Sequence, residues 1–373
     1  MFYSCTNCIL DIKDDPSITF NDKGICNHCQ VYYTNIAKYY RGNEPDLLTF
    51  NNWIQKVKSD KKQRKYDLII GLSGGVDSTF VAYLCWINNL KVLAVHLDNG
   101  WNSELSVVNI RNILKTTKFD LFTYVINWQE FRDIQRSYFK AGVVDIEALT
   151  DHAISSVLHK VAKEHNIKYI FDGSSITTEG RLPESWIHNK SDSINIKDIH
   201  KKFGEMSMKT YPLRSIWSYY FSVSRVQFVS ILDFYPYDKS EAKRIIMKEF
   251  KWRDYGGKHY ESIFTRFYQA YILPKKFGID KRKSHYSTLI CAGQLTRNDA
   301  ILKMKEPTYS DVYLESVDYE FVIKKLGFSK EEFEEYILSP PKSHLDFKSI
   351  KHLLYFLSKI KRIILLRKKY NHK

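Results

Sequence analysis

Short apolar runs alternate with longer helical patterns through the middle of the chain. The runs DLIIGL, KVLAVHLDNG, LFTYVI and KYIFDGSS predict strands, and the segments TFVAYLCWINNL, WQEFRDIQRSYFK and IEALTDHAISSVLHKVAKEH between them predict helices. The segment VQFVSILDFYPYD predicts one further strand. Strands that alternate with helices of this length form a parallel sheet with helices on both faces. We therefore predict an α/β, doubly wound parallel sheet.

Segments with other patterns lie on either side of this α/β region. A cysteine-rich stretch opens the chain, and the part after the last predicted strand is mainly helical, with loops such as YILPKKFGID between the helices. We expect a small module at 1–45, the α/β domain at 46–238 and a mainly helical region at 239–373. A chain of 373 residues is long enough for this division.

The balance of charge permits several partners without choosing among them. The net charge of +15 suits nucleic acid, anionic membrane or phosphorylated substrates. We interpret the basic and apolar end, KHLLYFLSKIKRIILLRKKYNHK, as a helix packed on the core, with docking to a membrane surface or a partner as the alternative. Because the start resembles no signal peptide and no apolar run reaches the length of a membrane span, we expect a cytoplasmic protein.

Four of the six cysteines are grouped in the first thirty residues. Cys5, Cys8, Cys26 and Cys29 form the pattern C-x2-C-x17-C-x2-C. In a reducing compartment, paired CxxC turns predict a tetrahedral thiolate site for Zn²⁺, with an iron–sulfur or redox site as the alternative. Four thiolates close the coordination shell, so we predict a structural zinc site.

The stretch SGGVDS, between the first predicted strand and its helix, has the composition of an anion cradle. Gly74 and Gly75 allow a sharp turn that brings N–H groups close to a ligand, beside the positive end of the helix dipole. Ser73 and Ser78 add hydroxyl donors, and Asp77 suits a Mg²⁺ ion bridged to phosphates. Neither G-x-G-x-x-G nor G-x-x-x-x-G-K-[ST] is present at this position.

SGGVDS after a strand resembles the PP-loop of ATP pyrophosphatases, which have a HUP-like α/β fold and cleave ATP to AMP and pyrophosphate. The resemblance implies that Ser73, Gly74, Gly75, Asp77 and Ser78 surround the pyrophosphate. It also implies adenine recognition near the end of the second strand, from His96 to Asp98.

Further blocks resemble the N-acetyl sugar amidotransferases of bacterial surface-polysaccharide synthesis. These blocks are TEGRLPESW, WRDYGGKHYESIFTRFYQAYILPKKFGIDKRKSHYSTLICAGQLTR and the N-terminal cysteine pattern. The resemblance implies conversion of an acetamido group on a UDP-linked sugar into an acetamidino group. It also implies ammonia from a separate glutaminase with a cyclase-like partner, and no role for nucleic acid.

Activation by ATP explains why such an enzyme would carry a pyrophosphate site. An amide oxygen is a poor leaving group, so adenylation of that oxygen, with Mg²⁺ compensating the charge of pyrophosphate, prepares the carbon for attack by ammonia. Asp98 and Asp172, at strand ends, are candidates to hold Mg²⁺ or to orient ammonia. For either carboxylate, a helix cap or turn residue is an equally good interpretation.

The second block supplies a further group of candidates. We expect Lys258 and Arg266 to contact phosphate or carboxylate of the sugar nucleotide, and Glu261 or His259 to handle the protons of ammonia. A charged helix face that anchors neighbouring aromatic residues is the alternative. The candidates for substrate binding are Glu179, Trp186, Lys258 and Arg266, and Glu147 and Asp151 form a weaker candidate for an ammonia or metal site.

The remaining cysteines argue against an internal glutaminase. Cys85 lies in an apolar helix, Cys291 lies in the poor nucleophile setting LICAG, and Met1-Phe2 offers no N-terminal nucleophile. The protein should therefore depend on delivered ammonia. Two other functions remain open: a zinc-containing PP-loop enzyme that thiolates tRNA, and a non-catalytic nucleotide-binding scaffold.

Overall fold

The structure is a computed structural model. It describes residues 2–41, 44–60, 65–179, 182–215, 218, 225–257, 260–309 and 311–355. Two of the predicted site residues, Lys258 and His259, and the end of the basic C-terminal segment from 356 onward lie outside the described residues.

The part of the chain that the structure describes contains seven strands and fourteen α-helices. The strands are β1 Tyr40–Arg41, β2 Glu44–Pro45, β3 Leu68–Gly71, β4 Val92–Asp98, β5 Asp120–Val125, β6 Tyr169–Asp172 and β7 Gln227–Ser230. The helices are α1 Asn27–Ile36, α2 Leu47–Ser59, α3 Val76–Ile87, α4 Glu104–Thr117, α5 Trp128–Ala141, α6 Ala148–Glu164, α7 Ile176–Glu179, α8 Ser193–Phe203, α9 Lys239–Phe250, α10 Ile263–Phe267, α11 Lys281–Cys291, α12 Arg297–Lys303, α13 Val312–Leu326 and α14 Lys330–Leu338. Short 3-10 helices span Glu184–Trp186, Ile231–Phe234 and His344–Asp346, and a π-helix spans Tyr268–Phe277.

Five strands form one parallel sheet in the order β5-β4-β3-β6-β7. The predicted parallel α/β sheet is confirmed. The chain moves from β3 outward to β5 and then returns to the other side of β3 with β6. This reversal opens a crevice between β3 and β6 at the carboxyl ends of the strands, which is where ligands bind in sheets of this type.

The side chains of β3 alternate between the two faces of the sheet. Leu68 and Ile70 belong to a buried cluster formed with α3, α4 and α9, whereas Ile69 belongs to a separate buried cluster formed with α6. Both faces are therefore covered, which explains why the strand sequence reads as a continuous apolar run.

Capping residues start the helices that follow the strand ends. Ser103 accepts a hydrogen bond from the first turn of α4, Asn127 from that of α5, and Asp238 from that of α9. Each cap satisfies an N–H group that has no partner inside its helix. These caps fix the points at which the chain turns back from the carboxyl edge of the sheet.

The cysteine-rich module packs against the helices of the C-terminal region. Its buried residues share one core cluster with Phe264, Tyr268 and Ile272. The Arg297 guanidinium, at the start of α12, donates hydrogen bonds to the carbonyl oxygens of Cys8 and Cys5, at 3.1 and 3.3 Å. The cysteine-rich module therefore shares a buried core with the described part of the C-terminal region.

The sequence predicts a loop for the segment YILPKKFGID. This prediction is wrong for the residues as far as Phe277, which are helical. The π-helix Tyr268–Phe277 contains Pro274 and ends at Gly278, whose φ is +66°. Proline lacks an N–H group and its ring clashes with the preceding turn of an α-helix, so a proline in the sequence favours the prediction of a helix end. The helix nevertheless continues through Pro274 as far as Phe277.

Within the part of the chain that the structure describes, no helix combines the length and apolar character needed to cross a membrane.

Candidate active site

The glycine loop after β3 is a tight turn that requires glycine. Gly74 has a φ of +80°, and a Cβ added there would lie 2.6 Å from the Ser106 carbonyl oxygen in α4. A side chain at this position would meet both backbone strain and a rigid neighbour. The indole N–H of Trp252 donates to the carbonyl oxygen of Gly74 at 2.9 Å, which fixes the turn from its other side.

The two serines of the loop face each other across it. Ser73 Oγ and Ser78 Oγ lie 3.1 Å apart, and the Gly75 N–H donates to Ser73 Oγ at 3.2 Å. Gly75 is the N-cap of α3 and supplies no side chain to cap the helix. Two hydroxyl groups and a helix N-terminus thus converge on one place, which is the chemistry of a phosphate site.

Asp77 lies in the first turn of α3 and has two partners from the chain beyond β7. Its carboxylate accepts a hydrogen bond from the Tyr237 hydroxyl and an ion pair from Lys239 Nζ at 3.2 Å. Burial, followed by the nearby Asp77 charge, raises the pKa of Tyr237 above its usual value. Tyr237 is therefore a neutral donor, and Lys239 places a cation beside the glycine loop.

The end of β4 carries His96 and Asp98, which Asn102 joins. The Asn102 amide nitrogen lies 3.0 Å from His96 Nε2 and 3.1 Å from Asp98 Oδ1. His96 Nδ1 lies 2.8 Å from the carbonyl oxygen of Leu72, the residue before the glycine loop. The Gly100 N–H donates to Asp98 Oδ1 at 2.9 Å. His96 thus ties the end of β4 to the start of the loop.

The end of β6 meets the glycine loop directly. A Cβ on Gly173 would lie 3.0 Å from the backbone nitrogen of Ser78, so the loop FDGSS packs against the first turn of α3. Asp172 accepts hydrogen bonds from the Ser174 N–H at 2.9 Å and from the Ser230 hydroxyl at 3.0 Å. Burial nevertheless raises the pKa of Asp172, and the Glu179 charge raises it further.

A second carboxyl group lies close to Asp172. Asp233 follows β7 and accepts a hydrogen bond from the Ile176 N–H at 2.7 Å. Burial raises the pKa of Asp233 to about 6. The charge of Asp172 also raises this pKa, whereas the hydrogen bond from Ile176 lowers it. Burial therefore favours the protonated form of both carboxyl groups, Asp172 and Asp233.

Glu261 comes from the C-terminal region and reaches the glycine loop. A Cβ on Gly75 would lie 3.1 Å from Glu261 Oε1. The backbone holds Glu261 in place because its carbonyl oxygen accepts a hydrogen bond from the Ser103 N–H at 2.9 Å. Burial raises the pKa of Tyr255, which also forms a hydrogen bond with Glu261, and the charge of Glu261 raises it further. The structure thus brings the predicted Glu261 and the predicted loop together.

Arg266 and Trp186 have partners away from the glycine loop. Arg266 donates two hydrogen bonds to Asp318, at 2.6 and 2.7 Å, and both side chains are largely buried. The indole of Trp186 is buried and donates to the carbonyl oxygen of Asp14 in the cysteine-rich module, at 2.8 Å. Glu179, the last residue of α7, is exposed.

The four N-terminal cysteines converge in a closed, buried cluster. Cys5, Cys8, Cys26 and Cys29 are all 0% exposed, and their sulfur atoms lie within 4.8 Å of one another. The N–H groups of Cys8 and Cys26 donate to Cys5 Sγ at 3.4 and 3.3 Å, which favours a thiolate at that sulfur. Sulfur atoms bound to one Zn²⁺ ion at about 2.3 Å are about 3.8 Å apart, so this cluster fits zinc.

The structure also shows the surroundings of Cys85, Glu147 and Asp151, three further residues that the sequence analysis considered. Cys85 is 1% exposed, and burial raises the pKa of its thiol, so it is a poor nucleophile. Glu147 and Asp151 have lysine and amide partners: Asp151 pairs with Lys190 at 3.1 Å, and Glu147 accepts from the Gln269 amide at 3.2 Å.

The sequence analysis missed the residues that reach the loop from beyond β7. Tyr237, Lys239, Trp252 and Tyr255 all contact the loop or the first turn of α3, since the Tyr255 hydroxyl also accepts from the Val76 N–H at 3.2 Å. Tyr237 and Lys239 closely follow a predicted strand, so the rule that ligands bind at strand carboxyl ends could have found them. Trp252 and Tyr255 lie in the block WRDYGGKHYESIF that carries the resemblance, but their contacts with the loop depend on tertiary packing.

Comparison with known proteins identifies two parts of the chain. Residues 261–361 match the model of the LPS biosynthesis protein WbpG-like, C-terminal domain. Residues 49–149 match the model of NAD synthase. No curated protein matches the chain.

Two solved structures resemble the chain at low identity. The NH3-dependent NAD synthetase from Campylobacter jejuni subsp. jejuni NCTC 11168, in complex with the nitrate ion, is 14% identical over 75% of this chain and 97% of its own, with a TM-score of 0.33. The NMN synthetase from Francisella tularensis is 14% identical over 59% of this chain and 92% of its own, with a TM-score of 0.29.

Each of the two family matches contains one part of the candidate site. The glycine loop lies within residues 49–149, and Glu261, which reaches it, opens the second match. This pairing supports an ATP-using amidotransferase-type enzyme. Residues 49–149 are thus similar to NAD synthase, and residues 261–361 are similar to the C-terminal domain of WbpG-like LPS biosynthesis proteins.

Proposed function

We propose that the protein is an ATP-dependent amidotransferase that makes an amidine on a sugar. It adenylates the acetamido oxygen of a nucleotide-linked N-acetylated sugar and replaces that oxygen with ammonia from a partner glutaminase and its cyclase-like subunit. The products are an acetamidino sugar, AMP and pyrophosphate, for a bacterial surface glycan. The observation that carries the proposal is the contact between Glu261 of the WbpG-like domain and the PP-loop at Gly75.

The PP-loop and its surroundings suit the pyrophosphate part of ATP. Ser73 and Ser78 offer hydroxyl donors, and the N-terminus of α3 offers N–H groups with a favourable dipole. Lys239, whose Nζ is 3.2 Å from Asp77, adds a cation that can neutralise the leaving pyrophosphate. We assign these groups to pyrophosphate departure.

Three carboxylates, one on the first turn of α3 and two at strand ends, are the candidates to hold magnesium. Asp77, Asp98 and Asp172 lie on the first turn of α3 and at the ends of β4 and β6. Oxygen ligands of this kind suit Mg²⁺, which would supply charge compensation for the phosphates. In the structure, Lys239 and Tyr237 hold Asp77, so these two side chains set its orientation before a ligand arrives.

Glu261 is the candidate that handles the protons of ammonia. Its contact with the PP-loop at Gly75 supports this role. A carboxylate there accepts a proton as nitrogen attacks, and Tyr255 orients that carboxylate through its hydrogen bond. Attack on the carbon then expels AMP, and no covalent bond to the protein is required.

The test is to incubate the protein with ATP, Mg²⁺, ammonium and candidate UDP-diacetamido sugars, and to follow product mass. We expect the sugar oxygen to be replaced by NH, with one AMP and one pyrophosphate for each amidine. Formation of ADP and phosphate would contradict the mechanism. Binding of tRNA, together with indifference to sugar nucleotides, would support the tRNA-modifying alternative instead.

A pair of aspartate variants tests the magnesium assignment. Asp77→Asn should abolish pyrophosphate release while leaving the fold intact. The matched control is Asp120→Asn, at the start of β5 on the opposite edge of the sheet, where the carboxylate pairs with Lys65. The control should retain activity, and unchanged turnover in Asp77→Asn would contradict the assignment.

A further inference from the structure

A fifth thiol lies against the four-cysteine cluster. Cys291, the last residue of α11, places its sulfur 3.9 Å from Cys29 Sγ. Cys29 belongs to α1, 262 residues earlier in the chain. The two sulfurs are therefore as close to each other as two sulfurs that share one zinc ion, which are about 3.8 Å apart.

The side chain of Asn7 binds both sulfurs. Its amide nitrogen lies 3.3 Å from Cys29 Sγ and 3.1 Å from Cys291 Sγ. Asn7 is located between the first two cysteines of the cluster, so the same turn that builds the zinc site also places Cys291 beside it.

Exposure separates Cys291 from its neighbours. The four cluster cysteines are fully buried, whereas Cys291 is partly exposed. A small oxidant from solvent therefore meets Cys291 first, because thiol oxidation depends on access. Cys29 is the thiol within reach of the oxidised product.

We propose that Cys29 and Cys291 form a peroxide-driven disulfide that opens the zinc site. A peroxide oxidises the Cys291 thiol to a sulfenic acid and is itself reduced to water. The Cys29 sulfur then attacks the Cys291 sulfur, the S–O bond breaks, and the oxygen leaves as a second water. In sum, the Cys291 thiol and the metal-bound Cys29 thiolate lose two electrons to one peroxide, one proton comes from the thiol and one from solvent, and the metal keeps three thiolates from the cluster.

The same helix links this chemistry to the candidate active site. On α11, His285 Nδ1 lies 3.0 Å from the carbonyl oxygen of Thr178 in α7. The helix α7 follows the loop that carries Asp172. A disulfide would join one end of α11 covalently to the module, while the helix also contacts α7 near the crevice.

The experiment exposes zinc-loaded full-length protein to hydrogen peroxide and follows three quantities. Zinc release is measured with a chromogenic chelator, free thiols by titration, and cross-linked peptides by mass spectrometry after proteolysis. We expect the loss of two thiols for each zinc released and a peptide that joins Cys29 to Cys291. A disulfide confined to Cys5, Cys8, Cys26 and Cys29 would overturn the proposal, and this peptide result depends on no variant.

Two serine variants sharpen the test. Cys291→Ser should slow peroxide-driven zinc release by about tenfold or more, because its hydroxyl cannot form the disulfide. Cys85→Ser, at a buried position in α3, is the matched control and should release zinc at the wild-type rate. Equal release rates in Cys291→Ser and the wild type would also overturn the proposal. None of these readouts depends on the amidotransferase activity.

Discussion

The indole N–H of Trp252 donates a hydrogen bond to the Gly74 carbonyl oxygen across 178 residues of chain, at 2.9 Å. The tryptophan is 2% exposed, so the carbonyl has no ready replacement from water if the N–H is removed. The PP-loop is thus held by a residue outside the strand and helix that define it.

Trp252→Phe should weaken both the fold and the ATP site. The ring contacts are largely kept, but a buried carbonyl loses its donor, which costs about 1–3 kcal/mol. Urea unfolding measures the loss, and titration with a non-hydrolysable ATP analogue measures the affinity. As a control, Trp86→Phe alters an indole at the far end of α3, and its analogue affinity should not change. Equal affinity in both variants would show that the bond does not support the loop.

Gly74→Ala should lower ATP affinity by tenfold or more. The new Cβ would lie 2.6 Å from a backbone oxygen, and the residue would also be held at a φ of +80°. Gly278→Ala is the matched control, since Gly278 has a φ of +66° but no heavy atom within 4 Å of the added Cβ. The control should lose about 1–2 kcal/mol of stability and retain affinity. Equal affinities in the two variants would contradict a steric role.

Arg266→Met should destabilise the protein by about 3–5 kcal/mol, because Asp318 would be left as a buried charge without its cation. Asp318 also accepts a hydrogen bond from the Tyr309 hydroxyl at 2.9 Å. Adding Asp318→Asn should restore part of the stability, since it removes that charge and keeps the hydrogen bond. Denaturant unfolding of the single and double variants measures both effects. A stable Arg266→Met protein that fails to bind sugar nucleotide would instead support the predicted contact with substrate.

Asp233→Asn should stabilise the protein at neutral pH. Burial raises the pKa of Asp233 to about 6, so the folded state favours the protonated carboxyl and loses stability as the pH rises from about 4 through 6. The amide removes this cost, and its oxygen can still accept from Ile176. A shift of about two units corresponds to a gain of up to about 3 kcal/mol at pH 7.5, which should vanish near pH 4. Unfolding by urea across this range, without Mg²⁺, checks the prediction.

The opposite pH dependence is expected at Asp192. Burial opposes its charge, but hydrogen bonds from His188, Ser349 and backbone N–H groups outweigh burial and lower the pKa of Asp192. Asp192→Asn should therefore lose stability at neutral pH and differ less from the wild type in acid. If both variants changed in the same direction at pH 7.5, the assignment of charge states would be wrong.

Local patterns were sufficient to predict the sheet and the PP-loop. The apolar run before SGGVDS and the two glycines of that motif determine a strand, a turn and a helix within the twenty residues from Leu68 to Ile87. The CxxC pairs were equally informative, because each pair is a local turn. The structure confirms the sheet and the buried four-cysteine cluster.

Contacts between distant parts of the chain could not be predicted in this way. Tyr237 and Lys239 meet Asp77 only because β7 pairs with β6 beside the loop. Likewise, the sequence showed Arg266 as an available cation, whereas tertiary packing gives it Asp318 as a partner. A motif specifies which groups a site needs, and packing decides which of them are already engaged.

Because the N-terminal module packs on α11 and α12, it can form its native contacts only after those helices have been synthesised. Its partner Arg297 is synthesised 289 residues after Cys8, so the growing chain exposes the module long before that contact exists. At roughly 5–20 residues per second, the interval is on the order of 15–60 s. The cysteine-rich module is therefore made long before its native surroundings exist, and a metal ion held by the four cysteines would stabilise it during that interval.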